Sequence, residues 1–283
     1  MIVVFMVAGM SSRFGGNPKQ FAIIGNKETG ETLIEYSINQ ALKAAKNICS
    51  IDKIIFITNP KTEQKFKNLF SNKLWNNRKI KFEYIQQEFD QNKRSRPWGT
   101  CGAVCSLQDH VDQPFILLNG DDIYGVETFK KGYQMLLAEQ NNIIGGCKMV
   151  DTMPENGLVN RGLIETNNKS YVTSMRELLK ISKKDNSELH DKLGNVNFIG
   201  LLPKTVELLT NILDRFKAEH EDDPKIECLL PDNLNELIQT KQITMKAFQI
   251  TNKIYGITHP GDDVILRQIL TPNPPLSKEY LKT

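Results

Sequence analysis

Four short apolar runs rich in β-branched residues recur in the first 120 positions: IVVFMV from Ile2, KIIFIT over 53–58, IKFEYI over 80–85 and PFILLN over 114–119. Runs of this length without polar alternation suit strands covered on both faces, as in parallel sheets. Helical periodicity lies between them. TLIEYSINQALKAAK puts Leu33, Ser37, Ile38, Ala41 and Ala45 on one face, and PKTEQKFKNLF does the same with Phe66, Leu69 and Phe70. This repeated βα pattern predicts an α/β fold, a Rossmann-like, mostly parallel mixed sheet flanked by helices.

Beyond residue 143 the pattern changes. IIGGCKMV, RGLIET, YVTSMRE and NVNFIGLLP follow with few helices between them, predicting mixed or antiparallel strands. Helices are then expected over 204–220 and 227–240, joined by the acidic loop EDDPK. A strand pair near ITMKAFQI and a last helix opened by HPGDDV close the chain. At 283 residues, 40% of them hydrophobic, the chain can bury a large core, and no repeat, low-complexity tract or linker separates independent domains. A single domain over 1–283, with halves 1–142 and 143–283, is the expected organisation.

A net charge of +3 with scattered lysines argues against nucleic acid or an anionic membrane as partner. The apolar first ten residues lack a basic flank, are too short to span a bilayer and read as a buried strand. Five cysteines, odd in number and widely spread without a CxxC, predict reduced thiols and a cytoplasmic protein. Cys101 and Cys105, four apart, are expected on one buried helix face, because no third or fourth metal ligand lies nearby in sequence. The four histidines are isolated and form no ligand cluster.

The turn after the first strand, AGMSSRFGGNPKQ, sits where open α/β sheets bind phosphates. It is neither a Walker A loop, which ends Gly-Lys-Ser/Thr, nor a dinucleotide fingerprint, which needs a second glycine. It offers Gly9 for close backbone approach, N–H groups through Met10, Ser11 and Ser12, and two cations, Arg13 and Lys19. Together these describe a triphosphate cradle. A purely structural reading competes, in which Gly15-Gly16 and Asn17-Pro18 turn the chain and both cations are solvated. A second element, Asn119-Gly120-Asp121-Asp122, ends the PFILLN strand in adjacent carboxylates, hard ligands that at a phosphate site imply Mg²⁺. An Asp-rich turn without a metal is the plainer alternative. Between these elements, RPWGTCGAV turns through Gly99 and Thr100 into a small-residue helix that lets a planar ligand approach. Trp98 there could cover a ligand or simply pack.

In this order and spacing the three elements resemble the sugar-phosphate nucleotidyltransferases, the sugar-nucleotide pyrophosphorylases. The resemblance is nearest to a group with an AGMGSRFGG-x-KQ loop and an NADDFYG-type metal turn. It continues more loosely through NGLVNRGLIE, SMRE, NVNFIG, ECLLPDNL and YGITHPGDD. It implies a GT-A-like nucleotide-binding core in 1–142 and a sugar-binding half in 143–283. It also implies residue roles. Ala8, Gly9, Met10, Ser11 and Ser12 would meet the nucleotide, with Gln87, Gly99 and Thr100 closing on the base edge and Asn119 beside them. Arg13 would bind the β/γ-phosphates, Lys19 the phosphates in reaction, and Asp121 the Mg²⁺. Gly162, Glu177 and Asn197 would bind sugar hydroxyls.

Three departures stand out against that family pattern. Ser11 replaces a glycine of the loop. Leu178 follows Glu177 where many relatives carry lysine, leaving Arg176 or Lys180 as substitutes. The second metal ligand, near the C-terminal end, falls on Thr258, with Asp262 just beyond, where an N-cap role competes with metal binding. The implied reaction joins a nucleoside triphosphate, UTP or dTTP, to a sugar 1-phosphate, with Mg²⁺, releasing pyrophosphate. No general base is needed, because the attacking phosphate is already ionised. A polyol-phosphate cytidylyltransferase, a GT-A glycosyltransferase and a catalytically silent nucleotide-binding relative are the alternatives. A homo-oligomer is compatible with the sequence.

Overall fold

Alternate side chains of β1 (Ile2–Met6) enter two different cores. Ile2 and Val4 face one, Val3 and Phe5 the other, and all four are fully buried. At about 1.5–3 kcal/mol per buried side chain, a strand of this composition is stable only in the middle of a sheet. In the computed structural model, which describes residues 1–9, 18–25, 30–70, 80–257 and 261–270, β1 is central. It pairs in parallel with β2 (Lys53–Thr58) and β4 (Phe115–Asn119), and β2 pairs in parallel with β3 (Lys81–Gln86). The four runs read from the sequence are therefore neighbouring strands.

The intervening helices begin where side chains can hold their first N–H groups. Thr32 caps α1 (Leu33–Ala45) in a capping box: its hydroxyl accepts from Glu35 N–H, and the Glu35 carboxylate accepts from Thr32 N–H at 2.8 Å. Before α2 (Pro60–Phe70), Asn59 Oδ1 accepts from the Lys61 and Thr62 N–H groups. With α4 (Val126–Glu139), these helices cover one face of the sheet. The other face carries α3 (Gly99–Cys105), α6 (Pro203–Glu219) and α7 (Leu230–Gln239). Cys101 and Cys105 lie on the buried face of α3, their sulfurs 4.0 Å apart.

The second half extends the same sheet. β6 (Asn142–Lys148) and β4 both pair antiparallel with β9 (Leu193–Leu201), giving, with β10 (Met245–Gln249) outermost, the order β10-β6-β9-β4-β1-β2-β3. β7 (Val159–Thr166), reached through the short α5 (Met149–Thr152), joins β9 and β8 (Val172–Ile181) antiparallel beside this path. The mixed region expected after residue 143 is thus part of a mixed, mostly parallel sheet.

Two expectations are corrected. Near ITMKAFQI there is one strand, β10 (Met245–Gln249), parallel to the distant β6; Met245 and Ala247 enter one core and Phe248 the other, so it docks on the sheet instead of folding back on itself. The helix expected from 227 begins at Leu230, because Cys228 is engaged on both sides of its backbone: its N–H donates to Trp98 O and its carbonyl accepts from Cys101 N–H. A small antiparallel pair, β5 (Asp122–Ile123) with β11 (Tyr255–Gly256), and α8 (Asp262–Leu270) complete the described chain. Among the described residues no helix is long and apolar enough to cross a membrane.

Candidate functional site

The C-terminal ends of β1 and β4 lie side by side, with Met6 registered against Asn119. Beyond β1 the chain passes Ala8, whose carbonyl accepts from Asn59 Nδ2 at 2.7 Å, and reaches the exposed Gly9, where an added Cβ would meet nothing within 4 Å. The backbone there is open to a ligand. Met10, Ser11, Ser12 and Arg13 lie outside the described residues, as does Thr258. The chain resumes at Pro18 and makes a 3-10 turn over Lys19–Phe21, which places Lys19 Nζ 3.2 Å from Asp121 Oδ2. Two residues 102 positions apart thus meet where both strands end.

The turn after β4 is tightly built. A Cβ on Gly120 would lie 2.3 Å from Val7 Cγ1 and 3.2 Å from Met6 O, so only glycine lets the turn pass this close to β1. Asn119 Nδ2 donates to Asp122 Oδ2 at 2.9 Å, while Ile257 N–H donates to Asp121 O from the β11 segment. Asp122 Oδ1 would be 2.4 Å from a Cβ on Gly256. Burial, and then the neighbouring charge of Asp121, push the Asp122 carboxyl up to about 7, against the opposing pull of Asn119 and Lys19. Two adjacent carboxylates with one ammonium between strand ends form a hard-oxygen set suited to Mg²⁺ shared with substrate phosphates. Among the described residues no group of three or more His, Cys, Asp and Glu side chains gathers into a complete metal cage. Asp262 stands in the first turn of α8, just after Gly261 at φ +99°.

A second cluster lies beyond β3. Gln87 Nε2 donates to Gly99 O at 2.7 Å, which fixes the amide so that its oxygen remains to accept. Gly99 has φ +81°, and a Cβ there would lie 2.6 Å from Cys228 O. Thr100 is exposed, but its hydroxyl accepts the Leu230 N–H at the start of α7.

A third cluster crosses β8, β7 and β9. Gly162 is registered against Glu177, and an added Cβ there would lie 3.5 Å from Glu177 Oε2 and 3.0 Å from Asn195 Cβ. Asn195 Oδ1 accepts from Asn197 N–H at 2.9 Å and its Nδ2 donates to Asn197 Oδ1, holding Asn197 at φ +58°. Burial and Asp232 raise the Glu177 pKa, while Arg161 lowers it. Sequence reasoning missed Asn195, although the Asn-Val-Asn spacing puts both amides on one strand face. It also missed Arg161, beside Gly162, whose charge acts on both Glu177 and Asp122. Its guanidinium donates to Thr152 O at 2.8 Å and Asn160 O at 2.9 Å. Arg161 is registered against Leu178. Of the cations considered from the sequence, Arg176 pairs with Glu165 at 3.9 Å and Lys180 is exposed at φ +53°.

Comparison with known proteins bears on the family and the fold. A family profile described as nucleotidyl transferase matches residues 14–187. Similar solved structures include a UDP-glucose pyrophosphorylase complexed with UDP-glucose, at 16% identity and TM-score 0.64, covering 95% of this chain and 97% of that one. A UTP-bound UGPase from Acinetobacter baumannii aligns at 17% identity and TM-score 0.64, covering 99% and 96%. An inositol-1-phosphate CTP transferase from T. maritima aligns at 13% and 0.59, covering 95% of each chain. At these identities the structural likeness establishes the fold. No curated protein matches the sequence.

Proposed function

Because the chain belongs to the nucleotidyl transferase family, we propose that it joins a nucleoside triphosphate to a sugar 1-phosphate and releases pyrophosphate. The observation that carries this reading is the Lys19–Asp121 pair, which brings the loop after β1 and the carboxylate turn after β4 to one point. In this reading residues 1–142 hold the nucleotide and 143–283 the sugar, within one domain. Arg13 and the backbone of Ala8–Ser12 receive the triphosphate.

The Gln87 oxygen, freed by the bond from its nitrogen to Gly99, accepts from a base that carries an N–H on its pairing edge. The ring N–H of uracil or thymine is such a donor, which supports UTP or dTTP; the ring N–H of guanine and the amino groups of cytosine and adenine also donate on that edge, so a panel of nucleotides decides the base. Glu177, Gly162, Asn197 and Asn195 meet the sugar hydroxyls, and Arg161, whose charge acts on both Glu177 and Asp122, balances the charge of the 1-phosphate.

The sugar-phosphate oxygen attacks the α-phosphorus in line, its P–O bond forms as the bond to pyrophosphate breaks, and no proton has to be removed first. Lys19 neutralises charge on the reacting phosphates, and the protein's main contribution is to bring two anions together in line. Asp121, beside Asp122, is the residue to hold Mg²⁺, which when bound supplies charge neutralisation at the α-phosphate. The test is pyrophosphate release with Mg²⁺, using UTP, dTTP, CTP, GTP and ATP against a panel of sugar 1-phosphates and polyol phosphates. Release requiring one nucleotide and one sugar phosphate together supports the reading. Release with CTP and a polyol phosphate instead would make the protein a cytidylyltransferase, and nucleotide binding without release would reject transfer.

A further inference from the structure

Arg94 is 5% exposed, and the proposed chemistry gives its charge no task. Taking a guanidinium out of water is costly unless its donors are filled. Here Nε donates to Arg96 O at 3.3 Å, Nη1 to Asp223 O at 2.8 Å and Nη2 to Ile226 O at 2.5 Å. The guanidinium carbon lies 3.3 Å from the centre of the Trp98 ring. One planar cation therefore fastens the 90–98 loop to the 223–228 segment and fixes the indole between them.

These two segments also enclose Gly99. Ser95 N–H donates to Pro224 O, Cys228 N–H to Trp98 O and Cys101 N–H to Cys228 O, and the Thr100 hydroxyl receives Leu230 N–H. The result is a short zipper around Gly99, whose carbonyl in turn orients the Gln87 amide. Trp98 is the residue immediately before Gly99, and its carbonyl accepts from Cys228 N–H, so the clamp holds the chain where it enters Gly99.

We propose that Arg94 is a positioning residue for the nucleotide: through its stack on Trp98 and its three carbonyl bonds it holds Gly99 and Gln87 at the distance the nucleobase requires. The proposal rests on the reading that Gln87 and Gly99 meet the base. Lysine keeps the charge but supplies neither the planar stack nor the three-way fork, so Arg94→Lys behaves like Arg94→Met.

Both variants are expected to raise the nucleotide KM about tenfold and to narrow the preference among nucleobases, with kcat and the sugar-phosphate KM within about twofold of wild type. Arg96→Ala, which removes only the exposed pair with Glu227 across the same segments, leaves the nucleotide KM unchanged. With Trp75→Phe making Trp98 the only tryptophan, added nucleotide shifts the emission, and Arg94→Lys abolishes that shift. Unchanged nucleotide KM and base preference in the Arg94 variants overturn the proposal. So does a parallel change of kcat and both KM values that tracks a fall in Tm, which marks a purely structural role. A wild-type protein that neither binds nor turns over any nucleotide overturns the functional reading, and the positioning role with it.

Discussion

Lys19 and Asp121 are ion-paired with 16% and 31% side-chain exposure, so each holds the other at the point where phosphates would enter. Removing either leaves the other's charge uncompensated beside Asp122. Lys19→Ala and Asp121→Ala are each expected to lower turnover about 10²-fold, roughly 2.7 kcal/mol in the barrier, with folding retained by circular dichroism. Asp122 makes a different prediction. The folded protein keeps its proton up to about pH 7, whereas the ordinary carboxyl releases it near 3.8, so its contribution to stability falls as pH rises through that window. In EDTA, the Tm of Asp122→Asn relative to wild type should rise between pH 5 and pH 8; a constant difference would show that Asp122 titrates normally. Arg161→Met should raise the sugar-phosphate KM about tenfold and spare the nucleotide KM, the mark of a lost ground-state contact. An unaltered sugar-phosphate KM would remove Arg161 from the site.

At the scale of elements, the Gln87–Gly99 cluster depends on a turn that no local propensity dictates. Gly99 begins α3 at φ +81°, pressed against the backbone of Cys228 from the segment that leads into α7. Gly99→Ala combines a left-handed strain with a 2.6 Å clash on the Cys228 carbonyl. A loss of about 1–3 kcal/mol in urea unfolding is expected, together with a raised nucleotide KM. Full stability would mean that the two segments can separate without cost. The same pairing explains why α7 starts later than its periodicity suggests: the segment before Leu230 makes its backbone bonds with the 95–101 turn, a partner that the helical pattern of residues 227–240 cannot reveal.

At the scale of the whole molecule, β9 ties the two halves together. It lies between β4 and β6, and its Phe198 packs against Tyr124, Phe129 and Phe248, with ring centroids 5.5–5.8 Å apart. Gly132 of α4 admits that ring, since a Cβ there would lie 2.6 Å from it. Phe198→Ala is expected to cost about 3–5 kcal/mol, with tryptophan fluorescence and far-UV circular dichroism falling in one transition. Two separate transitions would show that the halves fold independently. The sequence by itself determined the parallel strands β1 to β4, helices α1 and α2 and the carboxylate turn after β4, because periodicity, capping and turn chemistry act between residues close in the chain. Only the tertiary structure decided that β10 runs beside β6, that Gly162 lies against Asn195, and that Arg94 reaches the carbonyls of Asp223 and Ile226. Each of these is a contact between segments distant in the chain, fixed by which surfaces must be buried and which buried donors must find a carbonyl, and no local pattern encodes it.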